Sequence, residues 1–329
     1  MHRSTDCELR AANCRLPAAG CGAQALKLAV LRLTAFGDVV HALPLCFVLK
    51  RGLPETEILL ATTERNAAWT RGLPFLDRVL VLPEGPGAAA ALLRAEGLDA
   101  ILDAQGLYKS ALIAFRSGAC LRCGFGLGSC REPLAALAYH RHTSPPPRTH
   151  IIDKNLSLAA LAGVAPVPLE GYSLAPVAAD PQGRAAAFLQ SLEGRRPALL
   201  HPFSSRRDKD FPLEPLQALL PPMRARGWEP VLSSGPGQEA LAREAVAVLG
   251  CRTAPPFGVR ETAFLLARSA LLAAPDTGFL HLADALGIPT ISRFTHLPSW
   301  RNGPRFSPHL VFDRVPPDPQ TMAQFVEAL

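Results

Sequence analysis

The length, composition and charge of the chain limit the kinds of protein it can be. Its 329 residues exceed one ordinary hydrophobic core, and 48% hydrophobic with 19% charged residues is a globular composition that excludes general disorder. The net charge of +6 favours an anionic partner, but 6% aromatic residues and the lack of a long lysine or arginine run disfavour nucleic acid.

The N-terminal segment and the cysteines indicate a cellular compartment. Residues 1–24 carry several charges and no continuous apolar run, so we expect a disordered extension and not a secretory signal. No apolar run reaches the roughly 20 residues of a bilayer-spanning helix. Without a signal, the eight cysteines are expected to stay reduced. We therefore expect a cytoplasmic protein, and the net charge of +6 is compatible with binding to an anionic membrane surface.

The first half of the chain alternates strand-like and helix-like segments. An apolar strand pattern over 26–33 leads into a short loop, 34–38, and a helical stretch that ends near Lys50. Further strands are predicted at 57–61, 79–82 and 100–103, and helices at 66–71, 87–96 and 109–117. This alternation predicts a parallel sheet covered by helices.

A proline-rich segment separates this half from a second one. Residues 164–181 hold four prolines without helical periodicity, which predicts a linker between domain 25–163 and domain 182–329. In the second domain, strands are predicted at 198–201, 229–233, 270–274 and 290–294, and helices at 213–226, 238–249 and 278–286. The fold class is therefore α/β, with two Rossmann-like parallel-sheet domains. Because such sheets bind ligands outside the carboxyl ends of their strands, we expect a cleft between the domains and functional residues in the loops after strands.

The first candidate site follows the first strand. Gly37 permits a positive φ or a close ligand approach, and Asp38 stands at the start of the next helix. Asp38 is either a helix N-cap or a carboxylate that takes a proton from an attacking hydroxyl group. A helix N-terminus favours the ionised, proton-accepting form of a carboxyl group.

The second candidate site lies where a strand of the second domain meets a helix. Asp276, Thr277, Gly278 and His281 open that helix, and backbone N–H groups with a hydroxyl at a helix start are typical of a pyrophosphate site. The alternatives are an ordinary capping role for Asp276 and a packed core position for His281.

The third candidate site is the loop after the first strand of the second domain. Ser204 and Ser205 offer hydroxyls and Lys209 a cation, a combination suited to a phosphate group, although a solvated charged loop is the alternative. Asp208 and Asp210 have the spacing of a metal motif, but the neighbouring cations make a divalent-ion site unattractive. The cysteine pattern also lacks a second C-x-x-C pair, so we expect no metal and no cofactor.

Five segments together resemble glycosyltransferase family nine, the ADP-heptose:lipopolysaccharide heptosyltransferases. They are 33–44 (LTAFGDVVHALP), 103–110 (DAQGLYKS), 131–135 (REPLA), 208–212 (DKDFP) and 276–278 (DTG), and the similarity runs from about 26 to 305. The resemblance implies a GT-B fold with an N-terminal acceptor-binding and a C-terminal nucleotide-sugar-binding domain. It also implies inverting transfer of L-glycero-D-manno-heptose from ADP-heptose, a substrate, to Kdo of Kdo-lipid A.

The resemblance assigns roles to individual residues. Asp38 matches the proposed general base, and Lys209 with Ser204 and Ser205 matches donor-phosphate contacts. Asp276, Thr277, Gly278 and His281 match further donor contacts. Gly37, Lys109 and Arg131 are assigned to the anionic acceptor, whereas Arg116 and Arg122 are either acceptor contacts or solvated surface.

Two departures keep other functions open. A Gly/Ala stretch at 84–93 replaces the family's basic cluster. After Ser233 and Ser234 the family often has a glutamate that contacts the donor ribose, whereas this chain has GPGQE at 235–239, and the contact is not assigned to any of these residues. The alternatives are a family-nine transferase with another nucleotide sugar or acceptor, and a noncatalytic nucleotide-sugar-binding protein.

Overall fold

The structure, a computed structural model, describes residues 25–165 and 168–329. Its residues divide into two units between Tyr172 and Ser173, a position inside the segment predicted as a linker. The extension predicted at 1–24 lies outside the described residues. Within the described ranges, no helix has the length and apolar character needed to cross a membrane.

The first unit contains a sheet of six parallel strands in the order β3-β2-β1-β4-β5-β6, which is the doubly wound order of a Rossmann-like domain. Its strands are β1 Lys27–Leu31, β2 Glu57–Thr62, β3 Arg78–Val81, β4 Ala100–Asp103, β5 Leu121–Phe125 and β6 Arg141–Thr143. Its helices are α1 Phe36–Gly52, α2 Glu64–Thr70, α3 Pro86–Glu96, α4 Tyr108–Arg116 and α5 Ile151–Leu156, with 3₁₀ turns at Pro133–Ala138 and Ala159–Ala162.

The second unit repeats this plan with the order β12-β11-β10-β7-β8-β9. Its strands are β7 Arg196–Leu200, β8 Trp228–Leu232, β9 Arg252–Thr253, β10 Leu271–Pro275, β11 Thr290–Phe294 and β12 His309–Asp313. Its helices are α6 Arg184–Gln190, α7 Leu213–Ala225, α8 Glu239–Leu249, α9 Val259–Leu266, α10 Gly278–Ala285, α11 Ser299–Asn302 and α12 Pro319–Ala328, with 3₁₀ turns at Ala175–Val177 and Arg207–Lys209.

Both sheets are built on central strands that are apolar on both faces. In β1 the last four residues are buried, and β10 is buried throughout, as expected for parallel strands covered by helices on each side. In each unit the strand order reverses beside the first strand, so that the loops after β1 and β4, and after β7 and β10, lie next to one another. The predicted α/β class with two Rossmann-like sheets is confirmed, while the predicted cleft stays a prediction.

Two local predictions at the start of α1 are wrong. The helix begins at Phe36, so the predicted loop 34–38 is shorter and Gly37 lies half-buried in the first helical turn, outside the set of positive-φ glycines. The N-cap is Ala35, with extended backbone, and not Asp38. Four strands were not predicted, β5, β6, β9 and β12, since they are short or interrupted by polar residues and glycine.

A buried carboxyl group fixes the loop after β4. Asp103 accepts hydrogen bonds from the Tyr139 hydroxyl (2.7 Å) and from the backbone N–H groups of Gln105 (2.8 Å) and Gly106 (3.2 Å). Burial raises the pKa of Asp103, although the hydrogen bonds it accepts act in the opposite direction. The loop that carries Gln105 therefore has a fixed conformation.

Replacing Tyr139 with phenylalanine should destabilise the protein, because it leaves a buried oxygen of Asp103 without its hydroxyl donor. We expect a loss of about 1 to 3 kcal/mol in the free energy of unfolding, measured by urea denaturation. Tyr108→Phe is the matched control, since Tyr108 is 50% exposed. Equal stability of the two variants would contradict this role of Tyr139.

Candidate active site

Asp38 lies at the carboxyl end of the sheet, in the first turn of α1. Its carboxylate accepts a hydrogen bond from the backbone N–H of Ala35 (3.1 Å) and lies 2.7 Å from the guanidinium of Arg32. The Asp38 side chain remains 32% exposed. The geometry thus gives a paired carboxylate that solvent, and hence a substrate hydroxyl, can still reach.

Arg32, the partner of Asp38, is a functional candidate that sequence reasoning missed. Its side chain is only 9% exposed, and its guanidinium also donates to the carbonyl of Ala104 in the loop after β4. A buried cation is costly without a partner, so Arg32 holds Asp38 in place. The signal in the sequence is a lone arginine at the end of an otherwise apolar strand.

Gln105 joins the same two loops from the other side. Its side-chain oxygen accepts hydrogen bonds from the backbone N–H groups of Leu33 (2.8 Å) and Thr34 (3.4 Å). The chain between β1 and α1 is therefore tied to the loop after β4 through both Arg32 and Gln105. The position of Asp38 depends on both loops.

The predicted acceptor residues Lys109 and Arg131 are both exposed, with Lys109 in the first turn of α4 and Arg131 on the loop after β5. The backbone N–H of Glu132 donates to the carbonyl of Gly106 (3.2 Å), and the Glu132 carboxylate accepts from the backbone N–H of Tyr108. These bonds hold the residues that flank Arg131 against the start of α4, where Lys109 stands. Two exposed cations of the first unit, Lys109 and Arg131, therefore lie on segments that are bonded to each other.

Gly106 is required for this contact between loops. It has a φ of +67°, a conformation that favours glycine. A Cβ atom here would lie at ordinary van der Waals distance, 3.4 to 3.7 Å, from the Phe125 side chain and from the backbone of Cys130 and Arg131. The positive φ, and not a lack of space, is therefore what favours glycine at this position.

In the second unit, Asp276 is the centre of a charged cluster after β10. One carboxylate oxygen lies 3.0 Å from Nζ of Lys209, and the other lies 3.3 Å from Nε2 of His281. Their side chains are 8%, 19% and 6% exposed for Asp276, Lys209 and His281. Burial opposes ionisation of Asp276, but hydrogen bonding and charge interactions with His281 and Lys209 outweigh it, so the pKa of Asp276 lies below its usual value.

The beginning of α10 adds backbone donors to this cluster. Thr277 is the N-cap residue, yet its side chain makes no capping bond, and within 25–165 and 168–329 its buried hydroxyl oxygen has no hydrogen-bond partner. The helix starts with Gly278, so its first N–H groups lack intrahelical acceptors. Such a helix start can bind an anion.

The buried positions of His281 and His201 set limits on their roles. His281 is buried, with its Nε2 3.3 Å from Asp276, which is compatible with the alternative of a packed core position. Its direct contact with a donor stays a prediction. Burial lowers the pKa of His201 to about 4, which keeps its ring neutral where it packs against Phe279 of α10, 5.1 Å between ring centroids.

The loop after β7 carries Ser204, Ser205 and Lys209. The backbone N–H of Ser204 donates to Asp210 (2.7 Å), the Ser204 hydroxyl donates to the carbonyl of Arg206, and Ser205 is exposed. Lys209 ends the 3₁₀ turn and points back to Asp276. The structure thus brings Lys209 and the Asp276 segment together, with the serines on the same loop.

Other groups of this loop are bonded within the loop and to residues of neighbouring loops. Asp208 pairs with Arg206 (2.7 Å) and with His296 (2.9 Å). Gln238, which sequence reasoning did not assign, donates to the carbonyl of Ser204 (3.2 Å) and so links the loop after β8 to the loop after β7. Its signal in the sequence is a polar residue at the position immediately before a helix, where it is the N-cap of α8.

Comparison with known proteins places these residues in a family. The model of glycosyltransferase family 9 (heptosyltransferase) matches residues 88–305. Lipopolysaccharide heptosyltransferase 1 of Escherichia coli K12 is 27% identical over 286 residues, which cover 81% of this chain and 87% of that protein. The protein of the same name from Pseudomonas aeruginosa PAO1 is 27% identical over 292 residues, 82% of this chain and 78% of the relative.

A solved structure supports the same conclusion for the fold. Escherichia coli heptosyltransferase WaaC with ADP superposes with a TM-score of 0.77 at 22% identity, and the match covers 92% of this chain and 99% of that one. The predicted GT-B fold class is thereby confirmed. Because the family model matches more than half of the residues, the chain belongs to glycosyltransferase family 9, the heptosyltransferase family, and is a glycosyltransferase enzyme.

Proposed function

We propose that this enzyme transfers L-glycero-D-manno-heptose from ADP-heptose to a Kdo hydroxyl of Kdo-lipid A, a step of lipopolysaccharide inner-core synthesis. The observation that carries the proposal is the carboxylate of Asp38, which is held by Arg32 and still reachable from solvent. The names of the relatives supply the substrate class: two are lipopolysaccharide heptosyltransferases, and WaaC was solved with ADP.

The proposed reaction is one displacement with inversion. Asp38 takes the proton of the acceptor hydroxyl group while the oxygen of that hydroxyl group attacks the anomeric carbon of the heptose. The bond between that carbon and the phosphate oxygen breaks on the opposite face, and ADP leaves with the bonding electron pair. A single carboxylate therefore suffices, and no covalent intermediate forms.

The second unit supplies groups for the diphosphate. Negative charge that develops on the leaving group would be stabilised by the start of α10, with Thr277 and Gly278, and by Lys209. Ser205, which is exposed, would add a hydroxyl donor from the loop after β7, and Ser204 would add one when its hydroxyl turns from the carbonyl of Arg206 to the phosphate. Since cations and a helix terminus do this work, we propose that the reaction needs no metal ion.

The first unit supplies groups for the acceptor. Lys109 at the start of α4 and Arg131 on the loop after β5 are exposed cations, and Gly37 lies in the helical turn that carries Asp38. Arginine and lysine pair well with carboxylate and phosphate groups, which an anionic glycolipid offers. We accordingly propose peripheral binding at the inner face of the cytoplasmic membrane.

One observation favours a different acceptor or nucleotide sugar as the second candidate. Helix α3, where the family's basic cluster is expected, has five alanines among its eleven residues and one cation, Arg94, which donates to the carbonyl of Arg116 (2.8 Å).

The deciding experiment combines purified full-length chain, ADP-heptose and Kdo-lipid A with ADP release as the readout. A preference for a UDP or GDP sugar in a donor screen would reject heptose, and donor binding without ADP release would contradict transfer to this acceptor.

Asp38→Asn should abolish transfer and leave ADP binding intact. Asparagine keeps an oxygen for the N–H of Ala35 but takes up no proton, so we expect the rate to fall by about 10² to 10⁴ fold. The measurements are ADP release and ADP affinity by calorimetry. Glu64→Gln, an exposed carboxylate in the first turn of the next helix, is the matched control. Undiminished turnover of Asp38→Asn would reject Asp38 as the base.

Lys209→Ala should weaken donor binding and slow transfer. It removes the cation that pairs with Asp276, the residue before the N-cap of α10. We expect a loss of about 1.5 to 3 kcal/mol of transition-state stabilisation, calculated from the ratio of the kcat/KM values of the unchanged chain and the variant. Arg206→Ala on the same loop is the control, because Arg206 is exposed and pairs with Asp208. If both variants lose the same amount, general charge and not Lys209 contributes to donor binding.

Removal of divalent ions should leave the reaction unchanged. Excess EDTA in the ADP-release assay is expected to have no effect on the rate, because the stabilising charges belong to the protein. Loss of activity that added Mg²⁺ restores would show that the diphosphate is bound through a metal ion.

A further inference from the structure

An apolar strip on the first unit is exposed to solvent. It consists of Tyr108, Phe115, Leu134 and Leu137, which are 50%, 56%, 61% and 75% exposed. Large apolar side chains that lie together on a surface mark an interaction site more often than single ones do. The fold and the proposed chemistry leave these four side chains without a role.

Helix geometry places the four side chains on one surface. Tyr108 and Phe115 stand two turns apart on α4 and share a face of that helix. In the 3₁₀ turn Pro133–Ala138, residues three apart eclipse one another, so Leu134 and Leu137 point in the same direction while Ala135 and Ala136 are buried. Ala135 and Ala138 pack against the core cluster that also contains Ala111 and Ala114 of α4.

Hydrogen bonds and a ring contact tie the two segments together at both ends. At the start of α4, Glu132 accepts from the N–H of Tyr108. At its end, the guanidinium of Arg122 lies over the Phe115 ring, 5.2 Å from the centroid, and donates to the carbonyl of Ala138 (2.9 Å). The 3₁₀ turn therefore runs alongside α4, and the strip is continuous.

Cations border the strip. Lys109 and Arg131 lie at the end near Tyr108, and Arg116 and Arg122 lie at the end near Phe115. The one carboxylate among residues 108–138, that of Glu132, is occupied by the start of α4. Apolar side chains with a cationic border are complementary to a partner that has an apolar interior and anionic groups at its surface.

We propose that this strip docks the enzyme on a bilayer that contains anionic phospholipid. Phe115, Leu134, Leu137 and Tyr108 would enter the interface, and the bordering cations would meet the lipid phosphates. A second copy of the chain fits less well, because its strip would bring the same positive charge. The inference rests on the proposed function in one respect: a membrane-anchored acceptor would meet Lys109 and Arg131 at the end of the strip.

The test is co-sedimentation of the full-length chain with vesicles of phosphatidylcholine alone or mixed with phosphatidylglycerol. We expect the chain to bind the mixed vesicles and to release them in high salt. Leu134→Gln with Leu137→Gln should weaken this binding by about tenfold or more, because two apolar side chains no longer enter the interface. Arg116→Gln should weaken it by about fivefold.

Matched controls come from the second unit. Val248→Gln replaces an apolar side chain that is 48% exposed, and Arg243→Gln replaces an exposed cation of the same helix, α8. Both should bind like the unchanged chain. Equal binding of the unchanged chain to both vesicle types would overturn the proposal, and so would a leucine variant that binds the mixed vesicles as tightly as the unchanged chain does. If the unchanged chain is a dimer without lipid and the leucine variant is a monomer, the strip is a contact between two copies of the chain, and the proposal is also overturned.

Docking and transfer can fail separately in this design. The vesicles hold neither donor nor acceptor, so binding is independent of catalysis. ADP release from detergent-dispersed acceptor should be retained by the leucine variant. Transfer without vesicle binding would reject the docking surface alone, and vesicle binding without transfer would reject the proposed function alone.

Discussion

The buried guanidinium of Arg32 is the interaction on which the site of the first unit depends. It directly follows the apolar strand β1, and its two contacts are the Asp38 carboxylate at the start of α1 and the Ala104 carbonyl in the loop after β4. A buried guanidinium is costly without such partners, and among residues 25–165 and 168–329 only its Nε has none. The loops after β1 and β4 are therefore held in one arrangement by the requirement to neutralise this charge, and Asp38 takes its position from that requirement.

In the second unit the buried charge is negative: it is the carboxylate of Asp276, which needs cationic partners. Two nitrogen-bearing side chains converge on it, and they keep it ionised despite burial. A carboxylate next to a diphosphate would repel it if it were unpaired. Paired with Lys209, it instead fixes an ammonium group that has three N–H donors, of which Asp276 takes one. The same contact thus orients a cation toward the beginning of α10.

How much of this is visible in the sequence depends on whether a signal is local. Strands β1, β7 and β10 are mainly apolar runs and were predicted with nearly correct bounds, and β11 was predicted with its observed bounds although it contains Thr290, Ser292 and Arg293. Strand β5 was missed because Gly124 resembles a turn signal, whereas the structure needs glycine there for the Tyr139 ring, which a Cβ atom would meet. At the start of α1, Gly37 and Asp38 follow a turn-like pattern, but Ala35 takes the cap and the helix begins earlier. Local composition does not distinguish a glycine in a turn from a glycine inside a strand, as at Gly124, or in the first turn of a helix, as at Gly37.

The site itself is assembled from pairs that are remote in sequence. Arg32 and Ala104 are separated by 72 positions, and Lys209 and Asp276 by 67. Loops after strands could be selected as candidates because parallel sheets gather them at one edge, and the comparison with family nine then selected residues within them. The partners that hold those residues, Arg32, Gln105 and Gln238, follow only from the register of the strands. The apolar strip has the same origin, since PLAALA at 133–138 has the composition of a core helix, and only its packing beside α4 leaves Leu134 and Leu137 outside.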